Sequence, residues 1–279
     1  MPVRIVQSKQ NARLKELRQA LANPGRDGLA AVEGPILIEE ALRSGLRLRC
    51  LFAAQGSEPL LGGLPLASKA LSSDLDGLLF PRTMLDSVLT TENPQSVAAL
   101  VETPDWTWAH LFGPHHTSAA LIVVLAGIQD PGNLGTIVRS AEAFGASGIV
   151  TLPGTVSPWN PKAVRASAGS VFRLPLMAST EQEMLEELRE AGVRIITTAM
   201  RRAQPADQAD LTIPVAIIIG NEGNGVAPNL ASKADARITI PCPGPVESLN
   251  AAVATSVLLY EVARQRAERA GITHRGARR

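Results

Sequence analysis

The chain has 279 residues, of which 45% are hydrophobic and 19% charged, with a formal net charge of +1. These values are typical of a globular protein with one large or two smaller domains, and they exclude a disordered chain. Aromatic residues make up only 3%, which argues against stacking of bases on aromatic side chains as the main binding device. No apolar run is long enough to span a bilayer, so we expect no membrane association.

The two cysteines, Cys50 and Cys242, fit no metal-ligand spacing. We therefore expect neither a disulfide nor a bound metal, and a reducing, cytoplasmic location. Charge is unevenly distributed: residues 1–50 carry nine Lys/Arg against five Asp/Glu, and residues 264–279 carry six Arg against one Glu. Basic ends around an acidic middle fit a polyanionic partner, but solvated helix faces and a disordered tail explain the same charges equally well.

Residues 1–103 are predicted to form a small α/β unit. Its predicted helices cover 11–21, 35–43 and 81–89, and its strands cover 30–33, 46–53 and 97–101. Between 104 and 118, Pro104, Gly113, Pro114 and the pair His115 and His116 interrupt any periodicity. We interpret this stretch as a linker between two domains.

Residues 119–270 are predicted to form a second, larger domain, followed by a basic tail at 271–279. The predicted strands are 121–127, 148–152, 193–197, 215–219 and 237–240, and the helices are 134–144, 162–168, 181–191, 228–233 and 248–269. Strands built almost entirely of Val, Ile and Leu, alternating with helices, indicate a parallel sheet covered on both faces.

Three polar loops follow strands of this predicted sheet, and ligands bind at such carboxyl ends in open parallel sheets. In the first loop, 127–135, we expect Asn133 to cap the next helix and Arg139 on that helix to face an anion. A capped helix with a surface arginine is the alternative. The second loop runs from Gly220 through Asn221 and Glu222 to Gly225.

The glycines of the second loop allow a ligand to approach the backbone closely, although a plain tight loop would use the same residues. The loop lacks both the Gly-Lys-Ser/Thr ending of a P-loop and a Gly-x-Gly-x-x-Gly signature, which argues against a nicotinamide-dependent oxidoreductase. In the third loop, 240–250, Pro241, Pro243 and Pro245 stiffen the backbone. Ser248 is expected to cap the last helix. This loop is either a binding loop or a rigid structural connection.

Taken together, the three loops resemble the sequence motifs of the SpoU/TrmH family (SPOUT superfamily) of RNA ribose 2′-O-methyltransferases. The segment 164–175 is similar to the stretch that the family carries between its first two motifs, and 32–35 resembles the start of its small L30e-like domain. The matching motif residues are Asn133 and Arg139, then Gly220-Asn221-Glu222-Gly223, then Ile240-Pro241 and Ser248-Leu249-Asn250.

The resemblance implies an α/β fold: a parallel-sheet methyltransferase domain with a C-terminal trefoil knot, preceded by an L30e-like substrate-binding domain. It implies S-adenosyl-L-methionine as the methyl donor and a homodimer. The stripe Val253, Val257 and Leu258 on the last helix is either a dimer surface or part of the core. By motif position, the implied donor-binding residues are Gly220, Asn221, Gly225, Ile240, Pro241 and Leu249. The implied catalytic residues are Asn133, Arg139, Glu222, Ser248 and Asn250.

A guanidinium essentially never loses its proton in a protein, so we assign Arg139 an electrostatic role. Glu222 is either a proton acceptor or an orienting group. The separate N-terminal domain favours ribosomal RNA as the substrate, with transfer RNA as the alternative, by analogy with the family. A non-catalytic RNA-binding relative is a further alternative, against which the full set of motif residues argues.

Overall fold

The computed structural model describes residues 3–57, 59–60, 75–91, 95–112, 119–245 and 248–271. Its internal contacts divide the chain into two units. The first unit comprises Met1–Asp105 and Ser157–Arg173, and the second comprises Trp106–Val156 and Leu174–Arg279. The sequence-based division assigns 157–173 to the methyltransferase domain, whereas the structure groups this segment with the first unit. His115, His116 and most of the basic tail lie outside the described residues.

The elements before the boundary at Asp105 are short. They are β1 Val3–Ile5, α1 Ala12–Ala22, β2 Leu29–Glu33, α2 Pro35–Arg43, β3 Leu48–Ala54, β4 Asp76–Phe80, α3 Arg82–Asp86 and β5 Val97–Glu102. The remaining elements are α4 Trp108–Phe112, β6 Leu121–Ala126, α5 Pro131–Ala143, β7 Gly148–Thr151, α6 Pro161–Ser167, β8 Leu176–Ala178, α7 Glu181–Glu190, β9 Arg194–Thr198, β10 Gln204–Pro205, β11 Val215–Gly220, α8 Pro228–Ala231, β12 Ala236–Thr239 and α9 Ala251–Arg269.

The first unit is built on a five-stranded mixed sheet with the order β1-β4-β3-β5-β2. β1, β4 and β3 run parallel, and β5 is antiparallel to both of its neighbours. Helix α1 starts where the Asn11 side chain accepts hydrogen bonds from the N–H groups of Arg13 and Leu14, and it buries Leu14 and Leu17 completely. The sequence pattern did not predict β1 and β4.

The segment Ser157–Arg173 packs on this first sheet through several polar contacts. Ser157 Oγ donates to the Pro24 carbonyl at 2.8 Å. Arg165 on α6 lies 3.8 Å from the carboxylate of Glu33, whose side chain is only 4% exposed. A buried carboxylate is costly without partners, and Thr90 and Thr91 also donate to it. The segment therefore helps to satisfy a deeply buried charge of the first unit.

The second unit is built on a seven-stranded sheet with the order β10-β12-β9-β11-β6-β7-β8, and every pairing is parallel. The predicted mixed α/β class with a parallel sheet is confirmed. β11 is buried along its whole length, which explains its continuous apolar sequence. The short strands β8 and β10 were not predicted. Because all strands are parallel, their carboxyl ends meet at one edge of the sheet. The trefoil knot stays a prediction.

Hydrogen bonds hold the last helix, α9, at two places along its length. Ser256 on α9 and Ser140 on α5 share a hydrogen bond of 2.7 Å. Near the carboxyl end, the Arg266 guanidinium donates to four backbone carbonyl groups, those of Ala119, Ala120, Leu211 and Ile213. These bonds tie α9 to the approach to β6 and to the segment before β11.

The predicted linker 104–118 is partly ordered, since α4 lies within it. The Trp108 ring stacks on Phe112 with a centroid distance of 5.7 Å, and its Nε1 donates to Glu183 at 3.2 Å. Both contacts lie within the second unit. Among the described residues, no helix has the length and the apolar content needed to cross a bilayer.

Candidate functional site

A cavity of about 390 Å³ lies at the carboxyl edge of the second sheet. It is bounded by the segments that follow β9, β11 and β12, which are adjacent strands, and by the start of α9. Its volume falls in the range of roughly 300–1,000 Å³ that is typical of small-molecule sites. The lining residues are Thr198, Ala199, Met200, Ile219, Gly220, Asn221, Glu222, Gly225, Ile238, Thr239, Ile240, Pro241, Cys242, Ser248, Leu249, Ala251, Ala254 and Leu258.

The lining contains every residue predicted to bind the methyl donor, together with two of the predicted catalytic residues, Glu222 and Ser248. The second and third predicted loops therefore form opposite parts of one cavity. The other predicted catalytic residues, Asn133, Arg139 and Asn250, are not among its lining residues. Asn133 and Asn250 are nevertheless connected to it by hydrogen bonds.

The loop after β11 folds back on itself, and this return requires glycine at position 220. A Cβ atom on Gly220 would lie 2.1 Å from the carbonyl carbon of Gly225 and 2.2 Å from the nitrogen of Val226, both backbone atoms. The backbones of Asn221 and Gly225 exchange hydrogen bonds of 2.9 and 3.0 Å. The Asn221 side chain donates to the carbonyl oxygen of Gly127 at 2.9 Å, which joins this loop to the one after β6.

Glu222 connects all three predicted loops. Its carboxylate accepts hydrogen bonds from the N–H groups of Gln129 and Asp130, each at 3.4 Å, and from Asn133 Nδ2 at 3.0 Å. The Asn133 side-chain oxygen in turn accepts from Asn250 Nδ2 at 3.0 Å. A continuous chain of hydrogen bonds therefore runs from the loop after β11, through the start of α5, to the start of α9.

These bonds also determine the charge of Glu222. Partial burial alone would raise the pKa of its carboxyl group, but the hydrogen bonds from Asn133 Nδ2 and from backbone N–H groups outweigh burial, and the net pKa lies below its usual value of 4.5. Hydrogen bonds to the charged form favour that form. Glu222 is therefore ionised at neutral pH and is a weak proton acceptor there.

Two predicted helix caps are wrong. Asn250, not Ser248, caps α9, because the Asn250 side-chain oxygen accepts from the N–H groups of Ala252 and Val253. Ser248 precedes the helix and faces the cavity. The helix consequently begins at Ala251 rather than at 248.

The other incorrect cap is Asn133. Asp130 caps α5, because it directly precedes Pro131, which occupies the first helical position that proline favours. Asn133 lies in the first turn of the helix instead. Its amide group is thereby left available for Glu222 and Asn250.

Arg139 is exposed on α5. Within the part of the chain that the structure describes, its guanidinium makes no hydrogen bond or ion pair, so its charge is available to a ligand.

No group of three or more His, Cys, Asp or Glu side chains capable of holding a metal ion occurs among the described residues.

Sequence reasoning missed the wall that follows β9. Thr198, Ala199 and Met200 line the cavity, but no motif marks them. Their strand lies between β12 and β11 in the sheet, and this order is not encoded in any local pattern. The signal that could have found them is the general rule that ligands sit at the carboxyl ends of adjacent parallel strands.

Comparison with protein-family models matches residues 120–260 to the SpoU rRNA Methylase family. The chain is 30% identical over 260 residues to the 23S rRNA (guanosine(2553)-2′-O)-methyltransferase RlmP of Bacillus subtilis (strain 168), and the match covers 92% of this chain and 98% of that protein.

Solved structures give the same relationship. An AdoMet-bound rRNA methyltransferase from Sinorhizobium meliloti superposes with a TM-score of 0.79 at 31% identity, covering 94% of this chain and 98% of that one. The SpoU methyltransferase AviRb from Streptomyces viridochromogenes, in complex with AdoMet, gives a TM-score of 0.78 at 28% identity, with coverage of 92% and 98%.

The close packing of backbone atoms against Gly220 can be tested by substitution. We expect Gly220→Ala to destabilise the second unit by about 2 kcal/mol or more, because backbone atoms must move to admit the methyl group. The matched control is Gly223→Ala in the same loop, where the nearest atom to a new Cβ is Asn221 Oδ1 at 3.5 Å, and we expect a change within about 0.5 kcal/mol. Urea unfolding measures both. Equal stability of the two variants would contradict the packing described above.

Proposed function

This chain belongs to the SpoU rRNA methylase family, and we propose that it transfers a methyl group from S-adenosyl-L-methionine (AdoMet) to a ribose 2′-hydroxyl of ribosomal RNA. The observation that carries the proposal is the cavity at the carboxyl edge of the second sheet, which the residues of two family motifs line and the third motif adjoins. The AdoMet complexes of the two structural relatives support the choice of methyl donor.

The residues present fit this ligand. Ile238, Ile240 and Leu249 give the cavity apolar walls, while Gly220 exposes the backbone of the loop after β11. A nucleoside-sized molecule with apolar and polar parts suits such a lining. Pro241 stiffens the opposite loop, so that little conformational entropy is lost when the ligand binds. Asn221 and Gly225 hold the shape of the loop through their mutual backbone bonds.

AdoMet supplies an electrophilic methyl group; a bond forms between its carbon and the ribose 2′-oxygen as the carbon–sulfur bond breaks, and the hydroxyl proton leaves to solvent. Negative charge grows on the 2′-oxygen before the bond is complete. Arg139 on α5 makes no ion pair with the described residues, and we assign it to stabilise this charge and to hold the adjacent phosphate. It does not act as the base, because a guanidinium keeps its proton.

Glu222 is assigned as a positioning residue rather than as the proton acceptor. Its lowered pKa makes it a poor base at neutral pH. Its hydrogen bonds to Asn133 and to two backbone N–H groups instead hold the loop after β6 against the cavity. Asn250 continues the same connection to α9. Ser248, which lines the cavity without capping a helix, is assigned to hydrogen-bond the ribose.

Ribosomal RNA is the proposed substrate because the B. subtilis relative is a 23S rRNA methyltransferase and is matched over 98% of its length. The first unit is consequently the proposed RNA-binding part of the chain. Transfer RNA is the competing substrate, and the mapping experiment below distinguishes the two.

We also propose that two copies associate through α9. Three apolar side chains on this helix, Val253, Val257 and Tyr260, are 50%, 41% and 52% exposed. Tyr260 contacts the Phe144 ring edge-on at 6.0 Å, which extends the apolar surface onto the end of α5. Exposed apolar patches of this kind mark protein interfaces, and a second copy of the chain is the proposed occupant.

The proposed reaction is tested by mapping ribose methylation in total RNA from cells with and without the gene. We expect one 2′-O-methylated nucleotide of 23S rRNA to disappear in the mutant and to return with the wild-type gene. Arg139→Ala should fail to restore it, because loss of one charge-stabilising donor slows such steps by roughly 100-fold or more. Calorimetry should show unchanged AdoMet affinity for Arg139→Ala, since Arg139 does not line the cavity.

A mark that disappears from transfer RNA would contradict the substrate but not the chemistry. If no mark disappears and the protein binds no AdoMet, the proposed function is wrong. Full complementation by Arg139→Ala would remove Arg139 from the mechanism.

The role of Glu222 is tested by Glu222→Gln, which keeps the shape of the side chain but removes its charge. We expect kcat to fall about tenfold, the equivalent of one or two lost hydrogen bonds. The pKa of Glu222 lies below its usual value, so in the wild type this group stays ionised between about pH 6 and 8. Its replacement therefore removes no titration from this range, and the rates of variant and wild type should have the same pH dependence there. A rate that rises with hydroxide only in the variant would identify Glu222 as the base.

The proposed dimer is tested by Val257→Asp, which places a charge in the apolar surface of α9. Sedimentation velocity should show a dimer for the wild type and a monomer for the variant. Ile36→Asp is the matched control, since Ile36 is an apolar side chain of the first unit that is 75% exposed. We expect Ile36→Asp to leave the dimer intact. A monomeric wild type would contradict the proposal outright.

A further inference from the structure

We propose that the arginine loop, residues 199–202, binds RNA phosphates next to the ribose that is methylated. This inference rests on the proposed function and extends it, because no family motif covers the loop. It identifies a substrate-binding element on the side of the cavity that follows β9. Arg201 and Arg202 are its phosphate-binding residues.

The position of the loop follows from the sheet. The Ala199 N–H donates to the Ile238 carbonyl at 2.9 Å, which fixes the start of the loop beside β12. Ala199 and Met200 then line the cavity. The next two residues in the chain are the arginines, so both arginine side chains start beside residues that line the proposed methyl-donor site.

The arginine loop carries two positive charges. Arg201 and Arg202 are both exposed, and among the described residues neither makes a hydrogen bond or an ion pair. Arg189, another exposed arginine of the second unit, does have a partner, since it donates to the Lys233 carbonyl. Two adjacent free guanidinium groups, each able to bind a phosphate through two parallel hydrogen bonds, suit a polyanion.

Negative charges near the cavity create a need for such cations. Glu222 lines the cavity as a carboxylate, and Asp130 caps α5 at the same edge of the sheet. Both would repel RNA phosphates, whereas a ribose cannot enter the site without bringing its flanking phosphates with it. Positive charge near the cavity has to outweigh this repulsion, and the arginine loop adds to the charge of Arg139.

Two further properties of the loop point to a ligand. Arg202 has a backbone φ of +54°, a left-handed conformation that residues with a side chain rarely adopt, and such conformations cluster at ligand-binding clamps. Met200 is 69% exposed although it is apolar. A polarisable methionine side chain at this position can pack against a base or ribose held by the neighbouring arginines.

The test uses a fluorescent single-stranded RNA of roughly 20 nucleotides and mixed sequence, because phosphate contacts do not depend on sequence. Fluorescence anisotropy measures its Kd for the full-length protein at several salt concentrations. We expect the double variant Arg201→Ala/Arg202→Ala to bind about tenfold more weakly, and the slope of log K against log salt to become shallower by about 1.4, since each lost contact to single-stranded RNA removes about 0.7.

The matched control is Arg189→Ala/Arg194→Ala, which removes the same charge at the opposite, amino-terminal edge of the sheet. We expect its Kd for the oligonucleotide to change less than twofold. Calorimetry with AdoMet should give unchanged affinity for both double variants, which also shows that they are folded.

The outcomes separate this inference from the proposed function. A double variant that binds the oligonucleotide as the wild type does, or a control that weakens binding as much, overturns the role of the arginine loop even if the wild type methylates RNA. A wild type that binds RNA through the loop but transfers no methyl group overturns the proposed function alone. No salt-dependent RNA binding by the wild type overturns the inference.

Discussion

The site depends on the way in which the Glu222 carboxylate is held. Three loops leave the carboxyl edge of a parallel sheet, and nothing in the sheet itself fixes their relative positions. The hydrogen bonds that Glu222 accepts from the loop after β6, and the one that Asn250 at the start of α9 donates to Asn133, connect these loops to each other. The bonds between Glu222 and Asn133 and between Asn133 and Asn250 join two side chains, so each requires a specific residue on both sides.

This connection explains why the motif residues occur as a set. Asn250 uses its oxygen to cap α9 and its nitrogen to reach Asn133, so one side chain both starts a helix and orients the site. Gly220 is required for a different reason, since backbone atoms occupy the space of its missing side chain. A site made in this way is largely formed before a ligand arrives, which reduces the entropy lost on binding.

Much of the second unit could be predicted from its sequence, because buried parallel strands are recognisable as apolar runs: β6 and β11 are examples. Helix starts were less predictable. Asp130 and Asn133 are both good capping residues, and the proline after Asp130 decides between them. Ser248 and Asn250 are likewise both good capping residues, and only the structure shows that Asn250 caps α9. Strand order cannot be read from local patterns, so the wall after β9 and its arginine loop were not predicted.

The membership of Ser157–Arg173 in the first unit has a consequence for synthesis on the ribosome. The buried residue Glu33 is synthesised early, but its partner Arg165 is synthesised more than a hundred residues later. By then β6 and β7 of the second sheet have already been synthesised. The two units therefore cannot complete their folding strictly one after the other, as consecutive domains usually do. Their assembly is interleaved, and a fragment that ends at Asp105 lacks part of its own unit.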